Sequence, residues 1–249
     1  METIAIFGSS GGLGSVIAQT LSSHYRLILG YHTNLDTVET LAEKIISAGG
    51  RVESIAVDVR DSKSVAELLD RAEGTSSRLR GVVNAVGPAI PLKPLIDVAP
   101  TEFERIVRSD VLGSFNVLTE SARRLARGEG GVIVQLLTTA VLRTLENDGM
   151  SGIPKTAVMG IVRQLAREVA KDGVRVNAIA PGVIDAGIVH SSFTTDAVAQ
   201  GVIELCLNRT PTPRLGKPSE VSSLVHYLLG DEAAYINGQI IGVDGGYSA

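Results

Sequence analysis

The 249-residue chain has a single cysteine, Cys206, and no tryptophan. One thiol cannot form an internal disulfide, and no cysteine spacing suited to zinc is present, so a disulfide-stapled fold and a structural zinc module are both excluded. A reducing, cytoplasmic setting is the expectation. Basic runs are also lacking: 23 Lys and Arg stand against 27 Asp and Glu, for a formal charge of −4. No stretch interleaves cations with aromatics, which argues against nucleic acid or an anionic membrane as partner. Apolar runs such as 132–134 and 178–180 are too short to span a bilayer, and Met1-Glu2 opens without a basic leader, so neither export nor a membrane segment is expected. What is present, 44% hydrophobic and 20% charged residues, suffices for a buried core. Small molecules or proteins are the expected partners.

The informative stretch comes first. Ile4-Ala5-Ile6-Phe7 breaks into Gly8-Ser9-Ser10-Gly11-Gly12-Leu13-Gly14, and apolar residues at helical spacing follow through Val16, Ile17, Ala18 and Leu21. At such a strand–loop–helix junction, glycines let the backbone approach a diphosphate, whose charge meets the exposed N–H groups of the helix start. Gly8, Gly12 and Gly14 fit a GxxxGxG spacing with room for a dinucleotide. A glycine-rich turn that binds nothing is the plain alternative.

Strand and helix patterns alternate along the rest of the chain. Strands are expected at 26–31, 51–57, 81–87, 131–137, 174–180 and 239–243. Helices are expected at 35–48, closed by Gly49-Gly50, from Asp61 or Ser62 onward, from about 101 through 118 with a further one to 126, and at 157–171. A proline-bearing loop with Pro88, Pro91 and Pro94 interrupts the series. No linker divides it. The expectation is one domain over 1–249, an α/β Rossmann-like doubly wound parallel sheet of about seven strands with ligands at their carboxyl ends.

Five pieces in order resemble the short-chain dehydrogenase/reductase family: the glycine loop, Val57-Asp58-Val59, Asn84-Ala85-Val86-Gly87, the stretch from Arg175 to Gly182, and the tail from Gly238 to Gly246. Arg214-Leu215-Gly216-Lys217-Pro218 and 230–236 resemble the 3-oxoacyl-carrier-protein reductase type. The resemblance implies cofactor contacts from Gly8, Ser10, Gly12, Leu13, Gly14, His32, Asp58, Val59, Asn84, Ala85, Gly87, Lys155, Pro181, Gly182 and Ile184. Asp58 would bind adenine, a helix cap being its alternative role. No carboxylate stands at Gly30-Tyr31-His32-Thr33-Asn34 to repel a 2′-phosphate, so NADP(H) is expected over NAD(H). The basic residue often found in the glycine loop of NADP(H) enzymes is Gly11 here, which leaves His32, Thr33, Asn34 and backbone donors to meet that phosphate.

The resemblance also implies a catalytic tetrad, and only its lysine, Lys155, matches. The tyrosine position is Ser151, the serine position Thr138, and the asparagine position Asp110. Thr138 keeps a hydroxyl, and Asp110 adds a charge able to pair with Lys155. Ser151 lacks both the reach and the acidity of a phenol. Ala186 stands where a nicotinamide-binding threonine is usual. Pro154 is expected to leave Ser151 outside the helix as a loop residue or cap. His190, Asp148 and Glu146 are the substitute acids within reach in sequence. Three readings follow: an oxidoreductase on a small-molecule or acyl-carrier-bound carbonyl with an altered donor, a silent dinucleotide-binding partner, or a non-redox enzyme on the same fold. No metal is expected. A homotetramer, or a mixed tetramer with a related subunit, is expected from the apolar edge at 236–243 and from Met159, Ala166 and Ala170 on the second face of helix 157–171.

Overall fold

In Thr3–Phe7, strand β1, every residue is buried. Because side chains alternate across a strand, Ile4 and Ile6 join one hydrophobic cluster while Ala5 and Phe7 join another on the opposite face. This double burial requires helices on both sides of the sheet. The computed structural model describes residues 2–74, 77–186 and 197–249. It contains a seven-stranded sheet in the order β3-β2-β1-β4-β5-β6-β7, every neighbouring pair parallel. The remaining strands are β2 (Arg26–Tyr31), β3 (Arg51–Ala56), β4 (Leu79–Asn84), β5 (Gly131–Leu136), β6 (Val174–Pro181) and β7 (Ile240–Val243).

Helices α1 (Gly12–Leu21) and α2 (Leu35–Ser47) cover the face that carries Ile4 and Ile6; α3 (Ser62–Glu73) covers the other. Asp61 caps α3 by accepting from the Lys63 N–H at 2.9 Å, which removes Asp58 from the capping role. The strand order reverses between β1 and β4. Their carboxyl ends therefore diverge into a crevice, the position where open parallel sheets bind ligands.

Two helix boundaries differ from the sequence expectation. The helix expected from about 101 to 118 is instead α4 (Pro100–Val107), a π-helical turn (Arg108–Leu112) and α5 (Gly113–Arg127). The turn carries Asp110 into the interior, and Gly113 lies against Val59 where a β-carbon would come within 2.7 Å of a valine methyl. The helix expected at 157–171 is α6 (Gly149–Glu168), which begins earlier and contains Pro154. Ser151 is thus inside the helix, not in a preceding loop. Burial of Met150, Ser151 and Pro154 holds this first stretch in place, while the Asp148 carbonyl accepts from the Ser151 and Gly152 N–H groups at 3.1 and 2.9 Å. Tertiary packing here overrides the local cost of proline.

Among the described residues two further α-helices follow β6, α7 (Ala197–Asn208) and α8 (Pro218–Leu229). Val221, Val225, Leu228 and Leu229 of α8 join the cluster beneath α1. Ala166, expected to face a partner, is buried within this chain, its carbonyl accepting from Asn237 Nδ2 at 2.9 Å.

Candidate active site

The glycine loop is built around the Gly30 carbonyl at the end of β2. It accepts from the N–H groups of Gly8 and Ser9 at 3.1 and 3.0 Å and from the Ser9 hydroxyl at 3.0 Å. Gly8 has φ of +80°, and a β-carbon on it would come within 2.8 Å of the Ala85 backbone. A β-carbon on Gly14 would overlap the Gly8 carbonyl oxygen. Both positions are therefore closed to any side chain. Helix α1 opens with no side-chain cap and no acidic residue in its first turn. Its N-terminal N–H groups and positive dipole end suit an anion.

From this loop a cleft of about 550 Å³ runs along the strand ends. Gly8, Ser10, His32, Asp58, Val59, Ala85 and Gly87, all expected cofactor residues, line it together. Gly12, Leu13 and Gly14 form the helix start beside it, with Leu13 packed against the core beneath α1. Asn84 is placed differently. Its amide is fully buried and donates to Ser114 Oγ at 3.1 Å and Gln135 Oε1 at 2.8 Å, while its oxygen accepts from the Val86 N–H. Asn84 thereby fixes the strand exit that carries Ala85 to Gly87 and presents no side-chain atom to the cleft. Pro181, Gly182 and Ile184 lie at the end of β6. The Ile184 side chain is buried in the core, so only its backbone is available.

Arg60 was missed in the sequence and lines the same cleft. It grips Asp58 through Nε at 2.8 Å and Nη2 at 2.7 Å, and His32 Nε2 lies 3.8 Å from the same carboxylate. Hydrogen bonds from the Arg60 side chain hold the Asp58 carboxyl down to about 2. Its place follows from the pairing of β2 with β3, in register up to Tyr31 and Ala56, which brings together the residues after each strand. Arg105, also in the lining, has no comparable sequence mark.

At the far end, Lys155 Nζ sits 3.0 and 3.1 Å from the two oxygens of Asp110. Asp110 is 2% exposed and the lysine side chain 14%. The expected pairing of these residues is therefore present as a buried, two-pronged ion pair. Gly87 faces the same ammonium, a β-carbon there standing 3.9 Å from Nζ. The half-buried Thr138 ends β5, its hydroxyl oxygen accepting from the Ala140 N–H at 3.3 Å. Ser151 precedes Lys155 by one helical turn and is buried. Helix α6 contains no tyrosine.

Of the substitute acids, Glu146 is exposed and His190 lies outside the described residues. Asp148 is buried immediately before α6, and burial pushes its carboxyl up to about 7 against the lowering effect of Lys155. Among the described residues no cluster of His, Cys, Asp and Glu suits a metal ion, and no helix is long and apolar enough to cross a membrane.

A parallel sheet with a glycine cradle at its switch point, continuous with a cleft whose Gly87 faces a half-buried lysine, is the fold and site of an α/β oxidoreductase. The chain belongs to the short-chain dehydrogenase/reductase family: a family model described as enoyl-(acyl carrier protein) reductase matches residues 8–248. Versicolorin reductase of Emericella nidulans is 30% identical over 252 residues, covering 97% of this chain and 93% of that protein. A 3-oxoacyl-[acyl-carrier-protein] reductase of Staphylococcus aureus is 28% identical over 248 residues, covering 98% and 97%. Among solved structures, levodione reductase superposes with a TM-score of 0.91 at 25% identity, covering 99% of this chain and 97% of that one. A short-chain dehydrogenase/reductase from Mycobacterium ulcerans gives 0.90 at 29% identity, covering 99% and 90%. Family membership carries a nicotinamide dinucleotide as cofactor. The closed positions at Gly8 and Gly14 and the uncapped start of α1 fit its diphosphate.

Proposed function

We propose that this chain is an NADP(H)-linked reductase of a small-molecule carbonyl or a 3-oxoacyl thioester. The observation that carries the reading is the cleft, whose lining of strand-end residues runs from the glycine loop beside the uncapped start of α1 to Gly87, the residue that faces the Lys155 ammonium. The glycine loop would hold the diphosphate. Asp58 and Val59 would hold the adenine, and Arg60 with His32, Thr33 and Asn34 would meet a 2′-phosphate. Arg60, whose pairing with Asp58 is at the surface, would turn to that phosphate the guanidinium that the glycine loop lacks. When bound, the nicotinamide supplies the two electrons and one hydrogen that convert a carbonyl carbon to a carbinol. Thr138 would orient the carbonyl oxygen with its hydroxyl, and Lys155 with Asp110 would shape the floor of the site.

Calorimetry with NADPH and NADH, followed by turnover on a panel of ketones and 3-oxoacyl thioesters, tests the proposal. NADPH should bind about tenfold more tightly or better at low salt, the worth of one charge-assisted contact. Equal or tighter NADH binding rejects the preference. Gly14→Val should abolish binding of both, because the added carbons collide with loop backbone and not with a movable side chain. Unchanged affinity in that variant would remove the loop from the site.

A specific observation favours a second reading, a silent dinucleotide-binding subunit of a mixed tetramer. Lys155 is already neutralised by Asp110, and α6 offers no phenol. Binding without turnover on the panel would select it. We also propose a tetramer, homomeric or mixed, because Leu112, Phe115 and Ile153 are large apolar side chains left exposed on this chain. A monomeric mass by light scattering at micromolar concentration would reject that assembly.

A further inference from the structure

We propose that Asp148 is the acid that delivers a proton to the oxygen of the carbonyl being reduced. The inference rests on the reductase reading above. Asp148, Ser151, Gly152 and Lys155 are spaced i, i+3, i+4 and i+7, so they share one side of the chain as it enters and forms α6. Asp148 is 9% exposed and lies at the inner end of an open pocket of about 220 Å³ that it lines with Ala140, Gly152 and the exposed Thr144, Ile153 and Thr156. Ala140 is two residues beyond Thr138 and donates its N–H to the Thr138 hydroxyl, which links this pocket to the end of β5.

The carboxyl makes no hydrogen bond or ion pair with any described residue, whereas the Asp148 carbonyl is occupied by the Ser151 and Gly152 N–H groups. A buried carboxyl without a partner is costly to keep and is a mark of chemistry. The cation nearest in electrostatic effect, Lys155, is committed to both oxygens of Asp110 and cannot also neutralise Asp148. Cys206 of α7 is the other titratable group coupled to Asp148. Its thiol is raised by burial and contacts Tyr247, with Arg209 and Arg143 beyond them. None of these is an anion at neutral pH that would repel a carboxylate, so burial controls the proton. The carboxyl accordingly holds it up to about pH 7. Tyr247 does not compete as donor, because burial raises its phenol above the ordinary range.

The step balances. Reduced nicotinamide gives the carbonyl carbon a hydrogen with two electrons, the O–H bond of Asp148 breaks with its electron pair left on the carboxylate, and the carbonyl oxygen becomes a hydroxyl. The sum is carbonyl, reduced nicotinamide and one proton converted to alcohol and oxidised nicotinamide, with Asp148 reprotonated from solvent. Reduction should therefore fall as pH rises through about 7, and alcohol oxidation should rise through the same range.

Two measurements test this on the full-length protein. Carbon-13 NMR of aspartate-labelled protein, with the Asp148 resonance identified by its loss in Asp148→Asn, reads the carboxyl directly and needs no turnover. Steady-state kcat/KM against pH for the wild type and Asp148→Asn reads the chemistry, with NADPH affinity measured beside it. A carboxyl titrating near neutrality, together with about a hundredfold or greater loss of reduction at unchanged NADPH affinity, supports the proposal. If the wild type reduces a carbonyl and Asp148→Asn keeps its rate and pH profile, the acid assignment is overturned while the reductase reading stands. If the wild type binds NADPH but reduces nothing on the panel, the reductase reading fails and the acid assignment with it. A carboxyl titrating in the ordinary aspartate range overturns the assignment whatever the variant's activity, and Asp148→Glu identifies the resonance should Asp148→Asn fail to fold.

Discussion

Ser151→Tyr combined with Asp110→Asn should return carbonyl reduction to the Asp148→Asn protein by about a hundredfold, while Ser151→Tyr alone should recover far less. A phenol becomes a useful acid near neutrality only when a neighbouring cation lowers its pKa. Lys155, one turn along α6 from Ser151, is the cation in position, but both of its short contacts go to the Asp110 carboxylate. That pairing cancels the field a new phenol would feel. Asparagine at 110 keeps an acceptor of nearly the same shape and removes the charge, which frees the ammonium to act on the tyrosine. The phenol must also be accommodated at a buried position. Measurement of kcat/KM and its pH profile for the three variants decides the matter. Equal recovery with and without Asp110→Asn would show that the ion pair does not restrain Lys155. No recovery in either would show that position 151 does not reach the carbonyl.

The second large effect is on stability. Asp148→Asn should stabilise the fold above neutrality by on the order of 4 kcal/mol relative to the wild type, with the difference vanishing near pH 4. Burial raises the Asp148 carboxyl from 3.8 to about 7 in the folded chain, whereas the unfolded chain ionises in the ordinary range. Below about pH 4 both states hold the proton and the group contributes no penalty. Between there and about 7 the unfolded state gives up its proton and the folded state does not, so stability declines with rising pH. The decline is complete above the folded value, and about three pK units at 1.36 kcal/mol each give the stated size. Asparagine has the same volume and no charge to bury. Thermal unfolding of both proteins from pH 4 to 9 should show curves that separate as pH rises, the variant above. Parallel curves would mean that the carboxyl ionises freely in the fold. A residue that costs this much stability at working pH while touching no partner fits a stability-for-function exchange.

The residues that read clearly in sequence were those whose chemistry is local. Gly8 and Gly14 announced a close backbone turn, and the β-carbons they exclude lie against loop backbone and against Ala85. Asp61 or Ser62 stood to cap the third helix, and Asp61 does so. The pairing of Asp110 with Lys155 followed from two opposite charges at positions the family brings together. Residues that needed three dimensions were of another kind. Asn84 read as a cofactor contact, but its amide is spent on Gln135 and Ser114, which come from other elements. Pro154 read as a helix boundary because proline disfavours helix locally, and burial of Met150, Ser151 and Pro154 outweighed that preference. Arg60 carried no motif, and only the in-register pairing of β2 with β3 sets it beside His32 and Asp58.

The sequence by itself determined the parallel α/β architecture and the position of the glycine cradle, since periodicity and glycine spacing report directly on which segments are buried and where backbone must approach backbone. It also determined that the lysine position is kept as Lys155 while the tyrosine position is Ser151. The tertiary structure alone decided that the helix begins early enough to bury Ser151, that Lys155 is neutralised, and that Asp148 is buried without a partner. Those outcomes depend on desolvation and on which charges reach one another across α6 and the π-helical turn. Such quantities belong to packing between distant segments and leave no periodic mark in the chain.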